Sequence, residues 1–93
     1  MLVGILKVGI LIRWSGSLKD KRRVVRGICD KIKSKYNVAI AEVGNADLRQ
    51  RCSLGIACVS NNMRVIDSIL SKVLTDIETN AEIEVVDIEK SVV

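Results

Sequence analysis

The sequence predicts an α+β fold in which two helices cover one face of a four-stranded antiparallel sheet. Four segments have the aliphatic or alternating pattern of β-strands, and two segments between them have apolar residues at the 3.6-residue spacing of an amphipathic helix. These segments follow one another as strand, helix, strand, strand, helix, strand, and no proline interrupts them. The length of 93 residues suits one domain, residues 1–93, with a single hydrophobic core.

The first half of the chain is predicted to form a central strand and a basic helix. Leu2–Ile12 is a dense aliphatic run whose two glycines weaken a helix, and its length fits a strand. Ser17–Tyr36 begins with Ser17 as the N-cap and Asp20 three residues later, a variant of the capping box. Residues at helical spacing then form one apolar face: Leu18, Val25, Ile28, Cys29, Ile32 and Tyr36.

The second half is predicted to form two strands, a helix and a last strand. Val38–Val43 and Arg51–Ser60 alternate as strands, and the Gly-Asn-Ala-Asp sequence of residues 44–47 is typical of a turn between them. Met63–Thr79 has helical spacing, and Ala81–Glu89 alternates as the last strand, after which we expect the chain to fray. This order of elements is that of the ferredoxin-like βαββαβ fold, with both helices on one face and the strand order 4-1-3-2.

Positive charge is concentrated in the first 36 residues. They contain ten Lys or Arg and two Asp, a net charge of +8, whereas residues 37–93 contain five Lys or Arg and nine Asp or Glu, a net charge of −4; the two sum to the overall +4. Cations about one helical turn apart can follow a phosphate backbone, whatever its sequence. The alternative is that this helix surface is only solvated. The candidate phosphate-binding residues are Lys19, Lys21, Arg22, Arg23, Arg26 and Lys33 on the helix, with Arg13, Arg49 and Arg51 outside it.

Acidic residues are concentrated in the last part of the chain. We expect them either to pair with the basic helix of a neighbouring copy or to keep the fold soluble. The cluster consists of Asp76, Glu78, Glu82, Glu84, Asp87 and Glu89.

The composition argues against several function classes. Trp14 and Tyr36 are the only aromatic residues, so the central strands lack the stacking platforms of an RNA-recognition motif. We predict that Trp14 covers the small core, the alternative being a platform for one stacked base. The chain has no histidine, and its three cysteines lack C-x-x-C spacing, so we predict buried thiols with no metal and no cofactor. Neither a nucleophile with an evident base nor paired carboxylates are recognisable, which predicts that the protein is not an enzyme.

The predicted topology leaves one face of the sheet uncovered. That face is small and apolar, and the simplest cover for it is a second copy of the chain, which predicts a homo-oligomer, most simply a dimer. Its residues are Ser53, Gly55, Ala57 and Val59 of the third strand with Ala39, Ala41 and Val43 of the second. No segment reaches the roughly 20 apolar residues of a membrane span, and no signal-peptide cleavage site follows the first strand, so we expect a cytoplasmic protein that does not enter a membrane.

Two blocks of the sequence, SLKDKRRVVRGI and KYNVAIAEVGNADLRQRCSLGIACVSN, together with the second helix, resemble the YlxP-like family of small bacterial proteins of uncharacterised function. The resemblance covers nearly the whole chain. It implies a ferredoxin-like fold and a bacterial cytoplasmic setting, because members are often encoded beside genes for translation initiation and ribosome maturation. It supplies no catalytic residues. Many members carry Trp or another bulky residue where this chain has Arg49. The arginine adds charge at this position, so the resemblance implies no stacking role there.

The function that we predict is non-enzymatic binding of RNA, either ribosomal RNA or a ribosomal subunit, through the phosphate-binding residues of the first helix. Two alternatives remain at this point. One is a protein-interaction or oligomerisation module that uses the open sheet face. The other is a small-ligand regulatory domain of the kind that this fold also supports.

Overall fold

The computed structural model describes all 93 residues, and the six elements occur in the predicted order. They are β1 (Leu2–Leu11), α1 (Leu18–Lys35), β2 (Ala39–Gly44), β3 (Arg51–Ser60), α2 (Met63–Glu78) and β4 (Glu84–Val92). The sheet has the order β2-β3-β1-β4, and every neighbouring pair is antiparallel. This confirms the ferredoxin-like βαββαβ fold and the predicted strand order.

Both helices begin at a side-chain cap. The hydroxyl of Ser17 accepts a hydrogen bond of 3.1 Å from the main-chain N–H of Asp20. The carboxylate of Asp20 in turn accepts one of 3.4 Å from the N–H of Gly16, so the capping box closes one residue earlier than in its usual form. At α2 the side chain of Asn62 accepts a bond of 2.9 Å from the N–H of Arg64. These caps fix where the helices start, as the sequence predicted.

The last strand is the element whose position the sequence analysis missed. It was predicted at Ala81–Glu89 with a frayed end, but β4 begins at Glu84 and continues to Val92. Its end is held because Val93 and Val3 exchange main-chain hydrogen bonds of 2.8 and 2.9 Å. The start is later because Asn80 accepts a hydrogen bond from the N–H of Glu82 and forms a turn there. The register of β4 also shifts next to Gly9 of β1.

The core lies between the helices and one face of the sheet. On β1 and β3 every second residue is buried, because successive side chains of a strand point to opposite faces of the sheet and only one face meets the helices. Neither α1 nor α2 combines the length and the apolar character that crossing a bilayer requires. The buried apolar residues are Leu6, Val8, Ile10, Ile12, Val24, Val25, Ile28, Ile32, Ile40, Cys52, Leu54, Ile56, Cys58, Ile66, Leu70, Val73 and Ile77.

Candidate nucleic-acid interface

The solvent side of α1 carries a line of cations that we call the basic face. At 100° per residue its five members fall within about 100° of one another around the helix. The first and the last are 14 positions apart, about 21 Å at 1.5 Å per residue, which is the length of several phosphate groups in a nucleic-acid strand. All five side chains are exposed. The basic face consists of Lys19, Arg22, Arg23, Arg26 and Lys33.

Lys21, which the sequence analysis placed among the phosphate-binding residues, does not belong to this face. Its side chain is only 1% exposed. The ammonium donates hydrogen bonds of 2.6 Å to the carbonyl of Asn45 and 2.7 Å to the carbonyl of Leu48, and it lies 2.8 Å from Oε2 of Glu42. The two carbonyls accept hydrogen bonds from the ammonium, and the carboxylate compensates its buried charge. The side chain holds the β2–β3 loop, residues 45–50, against α1 and cannot reach a ligand in solution.

The three arginines outside α1, which we call the loop arginines, lie at the end of the sheet where α1 begins. They are Arg13 and Arg49, which lie in the loops, and Arg51, the first residue of β3 on the uncovered side of the sheet; all are exposed. Gln50 joins the two loops, because its amide donates hydrogen bonds of 3.0 Å to the carbonyl of Arg13 and 3.2 Å to that of Ser15. The N–H of Ile12 donates to the carbonyl of Gln50 at 2.8 Å. No pattern in the sequence indicates this bridging role for Gln50.

Two of the nine predicted cations have carboxylate partners near the start of β4. Arg13 lies 2.9 Å from Glu84, and Arg23 lies 3.4 Å from Glu82. Acidic residues that were expected to pair with a neighbouring copy, or only to aid solubility, thus pair within the chain. Both ion pairs are well exposed, so each contributes little to stability, and a phosphate can compete for either arginine.

Trp14 lies beside this pair of loops and is not part of the core. Its ring is 47% exposed, and its indole N–H donates a hydrogen bond of 3.2 Å to the carbonyl of Glu82. The guanidinium of Arg23 lies 5.3 Å from the ring centroid, within the range of a cation–π contact. The prediction that Trp14 covers the core is therefore wrong, because the ring instead supports Arg23 and joins the β1–α1 loop to the segment before β4.

A third acidic residue pairs at the far end of α1. Asp76 of α2 accepts hydrogen bonds of 2.6 Å from the hydroxyl of Tyr36 and 2.9 Å from the ammonium of Lys35. The Tyr36 hydroxyl first, and then Lys35, lower the pKa of the Asp76 carboxyl. This contact joins the two helices and leaves the basic face free.

Six of the nine predicted cations have no carboxylate within ion-pair distance. This set contains four members of the basic face and two loop arginines. They are exposed, so their charges are available to an anion in solution. The six residues are Lys19, Arg22, Arg26, Lys33, Arg49 and Arg51.

The face of the sheet opposite the helices is uncovered, as predicted. Ser53, Gly55 and Ala57 are partly exposed, and Val59 is 61% exposed. Ala39 and Ala41 are exposed beside them on β2. Val43, which was also predicted on this face, is exposed. Two larger side chains that the sequence analysis did not assign to the oligomer face, Ile5 and Val86, are exposed there or at its rim. The face is thus more apolar than the row of small residues predicted.

Burial keeps the three cysteine thiols protonated and therefore weakly nucleophilic. Cys52 and Cys58 are buried and Cys29 is half-buried, close to the prediction of three buried thiols. Burial, and next the carboxylate of Glu42, raise the pKa of the Cys52 thiol to about 12. Burial also raises the pKa of Cys29 and of Cys58. No three His, Cys, Asp or Glu side chains come together in a way that could hold a metal ion.

Fold and site together define the class: a ferredoxin-like α+β domain with a basic helix on one side and an open apolar sheet on the other. The chain belongs to the family described as "Protein of unknown function (DUF503)", whose model matches residues 3–90. It is similar to the "Uncharacterized protein YlxP" of Bacillus subtilis strain 168, with 39% identity over 83 residues, 89% of this chain and 90% of the relative. The predicted family resemblance is confirmed.

The comparison with solved structures supports the fold. The chain is similar to a de novo designed protein, LFR1 1, with a ferredoxin fold: the TM-score is 0.57 at 18% identity, over 99% of this chain and 85% of the design. A REP-associated tyrosine transposase bound to a REP hairpin has a weaker likeness, with a TM-score of 0.47 and 14% identity over 98% of this chain and 55% of the transposase. The second likeness is too weak to bear on function.

Proposed function

We propose that this protein is a non-enzymatic, cytoplasmic RNA-binding factor that holds phosphate groups through the basic face and the loop arginines, with ribosomal RNA as its target. The observation that carries the proposal is the set of six exposed cations without carboxylate partners along α1 and at the adjoining loops. Phosphate contacts of this kind supply affinity without sequence readout. The gene neighbourhood implied by the family resemblance favours RNA of the translation apparatus.

The strength of binding should depend steeply on salt. Five phosphate contacts on a single strand give a slope of about −3.5 in log K against log salt, at about −0.7 per contact. A fourfold rise in salt should then weaken binding roughly 100-fold. Fluorescence anisotropy with a labelled oligonucleotide from 16S ribosomal RNA, titrated at several salt concentrations, measures both values. No binding at low salt, or an affinity that salt does not change, would refute the proposal.

A matched pair of variants separates the basic face from net charge alone. Arg22→Glu/Arg26→Glu reverses two unpaired charges on α1, and Arg64→Glu/Lys72→Glu makes the same change of charge on α2, where both side chains are exposed and unpaired. We expect the α1 variant to lose at least about tenfold more affinity than the α2 variant, because only the α1 variant removes phosphate contacts. Each lost contact should also lower the salt slope. Equal losses would mean that the protein attracts RNA only by its overall charge.

We also propose that a second copy of the chain covers the open sheet face. Four strands spaced about 4.8 Å apart and about 30 Å long present roughly 500 Å², so two copies would bury roughly 1,000 Å², near the lower limit for a specific interface. Lys7 and Glu89, of opposite charge, are register neighbours on this face, and Asp87 also lies on it, beside Gly9. Ala57→Glu places a carboxylate at its centre and should yield monomers in light scattering, whereas an unchanged mass would exclude this interface.

A further inference from the structure

Gly27 lies in the middle of α1, on its exposed side. Apart from its two chain neighbours and the adjacent main chain of α1, a Cβ atom built there meets no atom within 4 Å, so the packing of this protein does not require a glycine. Glycine in a helix interior is less favourable than any residue except proline, because it loses the most backbone freedom on folding. The fold thus accepts a weaker helix at this position without gaining a contact from it.

The missing side chain leaves a shallow groove of about 560 Å³ on the surface of α1. A helical side chain covers the surface over the turn before its own Cα, so the surface that Gly27 leaves bare lies beside Arg23. The groove contains no apolar side chain, and its four cations and two carboxylates give a formal charge of +2. It is lined by Lys19, Asp20, Arg22, Arg23, Arg26, Gly27 and Asp30.

Arg23 is held at one side of this groove. Its guanidinium lies over the ring of Trp14, and it contacts the exposed carboxylate of Glu82 at 3.4 Å. Arg26 precedes Gly27 in the chain and lies about 100° from it around the helix, on the same side as Arg23. It has no carboxylate partner. Asp20, seven positions before Gly27, and Asp30, three positions after it, also line the groove. Their carboxylates repel an anion, so an anion is attracted only to the part of the groove nearest the arginines.

We propose that Gly27 is the site of one phosphate group of the bound RNA, which lies against the main chain of α1 within reach of Arg23 and Arg26. This inference rests on the proposed function and specifies how RNA approaches the helix. The absence of a side chain allows the phosphodiester backbone to come close to the helix surface, where both guanidinium groups reach it. Arginine is well suited to this task, because its planar group donates two parallel hydrogen bonds to phosphate.

The test fills the groove without changing a charge. Gly27→Gln adds a long neutral side chain of good helix propensity, and Ser68→Gln makes a neutral extension at an exposed position of α2. Gly27→Gln should raise the melting temperature by several degrees, since it replaces a helix-interior glycine, which verifies that the variant is folded. Its affinity for a labelled single-stranded RNA should fall at least about tenfold, and its salt slope should shrink by about 0.7, the value of one phosphate contact. Ser68→Gln should bind as the unmodified chain does.

The outcomes distinguish this inference from the proposed function. If Gly27→Gln binds RNA with unchanged affinity and slope while Arg22→Glu/Arg26→Glu loses binding, RNA uses the basic face but no phosphate sits at Gly27. If the unmodified chain fails to bind RNA at low salt, both proposals fall. If Gly27→Gln and Ser68→Gln weaken binding equally, the loss is not specific to the groove and the inference is wrong.

Discussion

Replacing Lys21 by methionine should cost the protein a large part of its stability. Methionine retains an unbranched apolar stem of similar shape but lacks the ammonium. The carbonyls of Asn45 and Leu48 would lose their hydrogen bonds from a charged donor, and Glu42 would lose the cation 2.8 Å from its carboxylate. The β2–β3 loop, which also carries Arg49, would then be held to the rest of the protein mainly through Gln50.

The size of the loss follows from these contacts. Two hydrogen bonds from a charged donor contribute about 1.5 kcal/mol each, about 3 kcal/mol together. The ion pair adds about 1 kcal/mol: Oε2 of Glu42 is buried against Lys21, but the Glu42 side chain as a whole is 24% exposed, so the carboxylate left behind can turn toward water. The expected loss is therefore about 3–4 kcal/mol. A chain of this length has a total stability of roughly 5–14 kcal/mol, so the melting temperature should fall by about 15 °C or more.

Urea unfolding followed by circular dichroism measures this loss, with Lys19→Met as the matched control. Lys19 is exposed on the same helix and has no ion-pair partner, so its replacement should change the free energy of unfolding by no more than about 0.5 kcal/mol. Adding Glu42→Gln to Lys21→Met should recover part of the loss by removing an uncompensated carboxylate. A loss below about 1 kcal/mol for Lys21→Met would refute the idea that this lysine holds the loop.

Three further substitutions or reagents test other parts of the structure. Gly4→Ala should destabilise by about 1–3 kcal/mol in urea unfolding, because the new methyl group meets Ile66 in the core, whereas Gly16→Ala, with open space around it, should not show this loss. Asp76→Asn should lower the melting temperature at neutral pH and make it fall less steeply in acid. The pKa of the Asp76 carboxyl is lowered by folding, so the ionised carboxylate stabilises the fold fully above its ordinary pKa near 4, and this stabilisation is lost as pH falls through the pKa of the folded state. Cys52, with its pKa near 12, should resist a thiol reagent at pH ~8 in the native protein and react only after unfolding.

The fold could be predicted because strand alternation, helical spacing and the cap and turn residues all indicate the same order of elements. Alternation along β3 separates Leu54 and Ile56 from Gly55 and Ala57, and its boundaries were predicted without error. The limits of β4 could not be found in this way, since its residues are mostly exposed and alternate weakly. Its position depends on pairing with β1, a contact between the two ends of the chain that no local pattern encodes.

The site was predicted less well, and the reason lies in the side of the helix that each lysine occupies. Lys21 is spaced three, four and seven residues from Val24, Val25 and Ile28, so its position falls within the apolar face. That spacing was a signal that this lysine is buried. Its acceptors, two main-chain carbonyls in a loop distant in sequence, could not be inferred because residue type does not determine which carbonyls a loop presents.

The two proposed surfaces are related by the topology of the fold. The helices cover one face of the sheet, so the basic face of α1 points away from the open face that contains Ala57 and Val59. Two copies that meet through their sheets would carry their basic faces on the outside, pointing in opposite directions. A long RNA that reaches both helices would then bind with an effective concentration gain, while a short oligonucleotide would not. Ala57→Glu should therefore weaken binding to a long RNA but leave the affinity for a short one unchanged, a result that net charge alone cannot produce because the added carboxylate would act on both ligands.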